Sequence, residues 1–559
     1  MKSGVKKTHY FKRLLPKTKA DWKLYFIKTL PIIIGEILFC LNGFLDNFMV
    51  SQSAGGIDAL TYANTYTGIM YTIFFAIQGI AAMFVGQYYG RKDYDKVNQI
   101  MNIRIWMYMI IVMFFAIPAW TVGPQMINLV ATSGIEDSTR IEASKYLTLI
   151  AISWAITSFN FNTNMQLNET GHSNLAMVSA TATVVVNGVI NAICLYVFKM
   201  PPHAAAFGSI IGALVCLTSD QILTYWKDRP IYIDLFRIYY IKKPIAKQIL
   251  KRLPAMGITI LGMITIPLRM MIWTRAYPGA AEGSGIGQPW MDINGVTVLG
   301  LVESLSSIAS AVTSVCSSNV SYFVATRLGE NRFEEAEQHA YSLRGFHALA
   351  GAMMSVIMIG VVFGIAYSGS TTKGLEDGVE NKINELIKNN SSEISSIKNY
   401  LGLSSNADNK ELIAAARLAA SNEFRRVFLL CCGTFILFNP VWCWFYTSAA
   451  LPRAGGRNNI ASVTMLSVQW LSFIWLIIIV FGIVRPLKAQ DTFIPLELAY
   501  FLFYSIDLIR WGIFEIVAWK TNWLKNVTVK VDGEIDGELP AVAAANNCSI
   551  HTNNEQAIN

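Results

Sequence analysis

Charged side chains set inside long apolar runs are where this sequence could do chemistry. Asp46 stands fifteen residues after Pro31 in the run 25–50, and Glu36 lies nearer the start of the same run. A carboxylate at such a depth can exchange a proton or a monovalent cation, and intramembrane charges mark ion and substrate paths by default. Arg269 stands fifteen residues after Pro254, and Glu303 falls in the run 294–324. Asp507 and Arg510 are three apart and can pair on one helical face. Asp220 reads as interfacial, and Arg275 is placed to snorkel.

Other chemistries find little to work with. The histidines (His9, His172, His203, His339, His347 and His551) are scattered, and no metal-ligand set or catalytic acid pair appears. No G-x-x-x-x-G-K-[ST] phosphate loop is present. Seven of the eight cysteines fall in or beside apolar segments and read as buried free thiols. The expectation is no enzyme and no organic cofactor.

The elements that must position these charges are membrane helices. Of 559 residues, 53% are hydrophobic and 15% charged, against roughly 25% charged in an average soluble protein. Mean hydropathy is +0.40. A bilayer core needs roughly 20 apolar residues per helical crossing, and lipid leaves no partner for an open strand edge. Twelve spans are expected, near 25–50, 60–86, 101–122, 143–165, 174–197, 205–226, 254–277, 294–324, 344–367, 424–447, 460–484 and 493–518. The fold class is an all-α polytopic membrane protein. At 1.5 Å per residue, Asp46 sits roughly 22 Å into its span, in the outer half.

Lysine and arginine set the orientation. They crowd the N-terminal tail 1–24, the turn carrying Arg91, Lys92, Lys96 and Arg104, the linker 227–253, the turns after spans eight and ten, and Lys520, Lys525 and Lys530. All these loops share one side, which the charge bias makes cytoplasmic together with both termini. This distribution, rather than nucleic-acid binding, accounts for the net charge of +8. The domains expected are the tail 1–24, a bundle 25–226, the linker 227–253, a bundle 254–518 and a tail 519–559. A polar insertion, 368–423, forms an external cap, and 531–559 has too little apolar content to fold.

The two bundles read as repeats. Leu30-Pro31 is matched by Leu253-Pro254, Gly90 after span two by Gly329 after span eight, and Leu167-Asn168-Glu169-Thr170-Gly171 by Leu451-Pro452-Arg453-Ala454-Gly455. With six spans in each half the repeats are parallel, an arrangement that places a cavity between two bundles and lets them rock about it. Setting Gly90 against Gly329 puts Glu303 opposite Asn64, as the two prolines put Arg269 opposite Asp46. The second bundle is therefore expected to hold an Arg269–Glu303 pair where the first holds Asp46 and Asn64, giving the cavity walls unlike charge.

With Leu30-Pro31, Phe44-Leu45-Asp46, Gly79, Gln87, Gly90 and the span-five run Asn187-Gly188-Val189-Ile190-Asn191, the chain resembles the multidrug and toxic compound extrusion (MATE) family over most of 30–520. The resemblance implies cation-coupled antiport of organic compounds, with Asp46 as the ion site and Asn187 and Asn191 facing it. H⁺ and Na⁺ both remain open, and Na⁺ at Asp46 is the one metal ion considered. Gly262 stands where many relatives have Glu, and 435–446 contains no acid, which brings the chain closer to the branch whose ion site lies in the N-terminal bundle alone. The partners implied are a small-molecule substrate and membrane lipid, with no obligatory protein partner and no nucleic acid. A lipid or lipid-linked-oligosaccharide flippase is the alternative, and a membrane-embedded transferase a remote one. The setting implied is a cytoplasmic membrane.

Overall fold

The computed structural model describes residues 13–50, 56–130, 137–277, 286–291, 293, 295–369, 372–389, 391–404, 407–490 and 492–528. The chain forms two six-helix bundles. The first contains α1 (Lys19–Val50), α2 (Gly56–Gly90), α3 (Tyr94–Thr121), α4 (Asp137–Glu169), α5 (Ser173–Ala192) and α6 (Ala205–Lys227). The second contains α7 in two segments (Leu253–Met263 and Thr265–Ala276), α8 beginning at Gly295–Ala309 and continuing through Ala311–Val320, α9 (Phe333–Tyr367), α10 (Asn409–Ala454), α11 (Asn458–Ile477) and α12 in two segments (Leu496–Ser505 and Asp507–Lys520).

Among the described residues nine helices are long and apolar enough to cross a membrane. The other three crossings fall short for visible reasons. α4 carries Asn160, Asn162, Thr163, Asn164, Gln166, Asn168 and Glu169 toward its end, most of them buried in the bundle. α7 and α12 are each broken by one residue, at Ile264 and Ile506, into segments too short to qualify alone.

Packing repeats along with the sequence. α4 lies against α2, α3 and α6, and α10 lies against α8, α9 and α12; α1 packs on α5 as α7 packs on α11. The bundles meet where the repeat landmarks fall. A Cβ on Gly90 would strike the Thr326 carbonyl, and a Cβ on Gly329 would strike the Gln87 carbonyl. Under the repeat these two contacts exchange, so α2 and α8 cross at a pseudo-dyad. Ser321 Oγ donates to the Ala82 carbonyl beside it, at 2.6 Å. Only glycine allows backbones this close. These glycines therefore do more than end helices.

All of this closure lies at the end that carries the basic loops. The start of the C-terminal tail takes part: Val527 N donates to Gln87 Oε1 (2.9 Å), Gln87 Nε2 to the Ala454 carbonyl (2.7 Å), and Asn526 Nδ2 to the Gly329 carbonyl (3.1 Å). Residues 529–559, including the stretch expected to be unfolded, lie outside the described residues. Toward the opposite end, Cys40 Sγ approaches the Ser307 carbonyl at 4.0 Å, joining α1 to α8.

The insertion docks on the second bundle. Its helices Lys373–Lys388 and Glu393–Tyr400 bury Ile383 and Ile397 in the bundle's core, and α10 starts inside it, well before the span expected at 424. Arg417 bonds Glu380 (2.6 Å) and Glu376 (3.4 Å), and Ser421 Oγ donates to Glu376 at 2.6 Å. The Ser421 bond, with those of Thr372 and Arg417, holds the Glu376 carboxyl below its ordinary range. A depressed carboxyl adds stability above its unfolded value and loses it as pH falls through the folded one. Acidification below the ordinary value of 4.5 should therefore loosen the insertion first. Hydrogen exchange at 373–400 should rise there before that of α9, and Ser421→Ala should move the onset to higher pH.

Candidate functional site

α1 brings Asp46 to the inside of the first bundle, where it is 4% exposed. α5 supplies Asn187 and Asn191, four apart and on one face. Asn191 Nδ2 donates to Asp46 Oδ1 at 2.7 Å and sits 2.6 Å from Asn187 Oδ1, while Asn187 Nδ2 reaches Asn42 Oδ1 at 3.0 Å. From α6, Ser209 Oγ donates to Asp46 Oδ2 at 3.0 Å. α6 comes this close because its preceding residue is Gly208, where a Cβ would collide with Asn191 Oδ1 and lie 2.7 Å from Asn187 Oδ1.

Among the described residues no cation pairs with Asp46. Neutral donors carry it instead, and Asn191 Oδ1 is buried with no hydrogen-bond partner. A carboxylate, two amides and a hydroxyl are thus linked in one hydrogen-bonded cluster in which Asp46 is the one ionisable group. No group of three or more His, Cys, Asp or Glu that could hold a metal occurs among the described residues. Asp46 opens on a cavity of about 430 Å³ within the bundle, whose lining includes Glu36, Asn64, Tyr146, Ser209 and Asn164. The structure therefore gathers Glu36, Asp46, Asn64, Asn187 and Asn191 at one site.

The protein-family model MatE matches residues 31–193, the stretch from Pro31 through Asp46 to just past Asn191. The chain also superposes on a solved outward-facing multidrug-resistance MATE transporter of the MOP superfamily, at 13% identity and TM-score 0.63, covering 92% of this chain and 98% of that one. It has the MATE fold. A MOP-superfamily transporter from Pyrococcus furiosus is similar at 14% identity and TM-score 0.62, with 92% and 100% covered. A mutant of the Vibrio cholerae MATE transporter VcmN gives 14% and 0.60, with 90% and 98% covered. No curated protein sequence matches.

The second bundle of the MATE fold is built differently from the expectation. Arg269 and Glu303 do not form the expected pair. Arg269 donates to Gln469 Oε1 (3.2 Å) and lies over the Phe503 ring, whereas Glu303 accepts from Tyr500 (3.0 Å) and Tyr504 (3.4 Å). The repeat alignment placed both on the right helices, but aromatic residues of α12 fill the space between them. Asp507 and Arg510 do pair, at 2.6 Å, with Trp442 Nε1 on the other carboxylate oxygen. Asp220 is not interfacial: it is 0% exposed inside the first bundle. Arg104, grouped with the basic flanks by sequence, is 1% exposed and bonds Glu169 at 3.0 Å.

Ser209, Asn42, Gly208 and Asn164 were missed as site residues. Asn164 is one of several polar residues on α4 and Ser209 and Gly208 are small residues in an apolar span, so their types alone did not mark them, although the four-residue spacing of polar residues on α5 was visible. Gly208→Ala should push Asn191 off Asp46 and cost about 1–3 kcal/mol of stability, as overpacking does. Thermal unfolding in detergent checks this, with Gly257→Ala as control, since a Cβ there meets nothing within 4 Å.

Proposed function

We propose that this chain is a secondary active efflux transporter that exchanges an organic cationic or amphipathic compound for H⁺ or Na⁺ across a cytoplasmic membrane. The observation that carries the reading is Asp46: a buried carboxylate without a counter-cation, held by amide and hydroxyl donors and facing a cavity. Substrate and coupling ion then compete for one negative charge. Occupation by the cation releases substrate, and loss of the cation restores the attraction. Closure along α2 and α8 at the basic end, taken with the positive-inside bias, is the arrangement of a state open to the outside. Rocking about the Gly90 and Gly329 crossing would expose the site to the other side. No covalent step is involved.

Efflux of a fluorescent organic cation from proteoliposomes under separate H⁺ and Na⁺ gradients tests the reading. Asp46→Asn should reduce gradient-driven efflux by at least about tenfold, as loss of an essential ionisable group does. The gradient that works names the ion. Unchanged efflux in Asp46→Asn would remove the site.

A second reading rests on Arg269 in the other bundle, which reaches the neutral Gln469 and, among the described residues, has no acidic partner. The Pyrococcus furiosus protein is described as having a binding pocket of reverse polarity that suggests a different function. For this chain the corresponding alternative is transfer of a lipid or lipid-linked anion. Arg269→Gln would then abolish movement of an anionic fluorescent lipid between leaflets. Under the antiport reading the same substitution changes cation efflux by less than about threefold, because a neutral donor still reaches Gln469.

A further inference from the structure

α5 and α6 run antiparallel, and their facing sides are small or polar over most of their length. α5 presents Ser179, Thr183, Asn187 and Asn191; α6 presents Gly208, Gly212, Cys216, Asp220 and Thr224. Each residue is four from the next, so each set shares a face. The two faces meet rung by rung. Gly208 packs on Asn191, a Cβ on Gly212 would meet the Thr183 carbonyl at 3.3 Å, and Ser179 Oγ donates to Asp220 Oδ1 at 2.5 Å.

A carboxylate stands at each end of this seam. At one end Asp46 bonds Asn191 and Ser209. At the other, Asp220 accepts from Ser179 and from Asn164 Nδ2 at 2.7 Å, with Cys216 Sγ 3.8 Å away. The groups facing Asp220 are thus Cys216 on its own helix, Ser179 on α5 and Asn164 on α4, all neutral. Among the described residues no Lys, Arg or His pairs with it. The cavity borders the seam from Asp46 and Ser209 to Thr183, Asn164 and Cys216, and the last two link it to Asp220, which does not itself line it. At about 30 Å³ per water molecule it has room for several. Beyond Asp220, Thr224 Oγ1 is buried without a partner, and one turn further Asp228 lies 3.2 Å from His172 at the basic end.

We propose that Asp220 is a second proton station of the transporter, and that the α5–α6 seam conducts protons between Asp46 and the basic end while the bundles stay closed there. The proposal rests on the antiport reading with H⁺ as the coupling ion. In each transfer one O–H bond breaks at a carboxyl and one forms at its neighbour or at a bridging water, so a single positive charge moves and nothing is oxidised or reduced. The first bundle would then load and unload its ion from the basic side through its own interior. Substrate, too large for the seam, would still need the bundles to rock.

The test uses the full chain in proteoliposomes with an imposed H⁺ gradient, comparing wild type, Asp220→Asn, Asp220→Glu and Asp46→Asn, with substrate affinity measured separately in detergent. Asp220→Asn should slow gradient-driven efflux by about tenfold or more and flatten its pH dependence while affinity stays within about twofold, and Asp220→Glu should restore the pH dependence. Wild-type rate and pH profile in Asp220→Asn overturn the proposal. So does a defect that comes with lost affinity and no rescue by Glu, which is what a structural acid would give. If Asp220→Asn does not fold, Ser179→Ala keeps the carboxylate and removes a donor. It should move the midpoint of the efflux pH profile, and an unmoved midpoint overturns the proposal. Wild type without H⁺-driven efflux overturns this inference, whereas efflux driven by neither an H⁺ nor a Na⁺ gradient fails the antiport reading itself. Wild-type antiport with an indifferent Asp220 sinks the inference alone.

Discussion

An ionised carboxylate taken out of water must be given either a cation or enough donors to stand in for the water it lost. The inside of this molecule sorts its acids by which of the two it gives them. Glu169 has Arg104 at 3.0 Å, with Gln78 bonded to the same carboxylate and Asn162 filling the guanidinium's other positions. Asp507 has Arg510 and Trp442. These acids are matched and fixed, and removing either partner of such a pair costs about 3–5 kcal/mol. Asp46 and Asp220 receive only neutral donors, so each can change charge without leaving an orphaned arginine behind. Both belong to the first bundle; in the second, Glu303 also has only neutral donors, the Tyr500 and Tyr504 hydroxyls, but it is exposed.

The repeat gives the two bundles a common frame and leaves them free to differ within it. Glu169 and Arg453 occupy equivalent places in their repeats, yet one is a buried anion with a cation beside it. The other is a cation whose guanidinium approaches Gly79 across the bundle interface, with Nε and Nη2 unpartnered. What the repeat does preserve is backbone: proline near the start of the first helix, glycine at the α2 and α8 crossing, and the same order of packed neighbours. Around the paired glycines the bundles also meet through Tyr25, which packs on Phe323 and Phe346, and through the Asn319–Thr29 hydrogen bond.

Much of this was legible in the sequence because it follows from solvent. Apolar length called for helices, and recurring motifs for two bundles. Asp46 declared itself by depth alone. What stayed hidden depended on which way a side chain faces around its helix. Arg104 and Asp220 both stand within three turns of a helix end, where a charge is equally well placed for a headgroup or for the interior, and partners such as Glu169, Asn162 and Asn164 on α4 decide the matter. α4 itself reads as weakly apolar because the polar residues that receive these charges are concentrated on it. Arg269 and Glu303 failed to meet for a related reason. Repeat arithmetic fixes height along the membrane normal and says nothing of the tyrosines that α12 places between.

The segment 521–528, which follows α12, has a further consequence. Asn526 and Val527 tie α2 and α8 together by reaching carbonyl and amide groups that each bundle leaves open at the crossing. Because the segment follows directly on α12, it meets its docking place as an intramolecular partner whose effective concentration is set by a few residues of tether. Dilution cannot weaken it, and no other molecule competes for the groove on equal terms. The closed end of the molecule is thus held by a fastener made from its own carboxyl-terminal side, so whatever lengthens, cuts or pulls on the chain there acts on how long the closed state lasts.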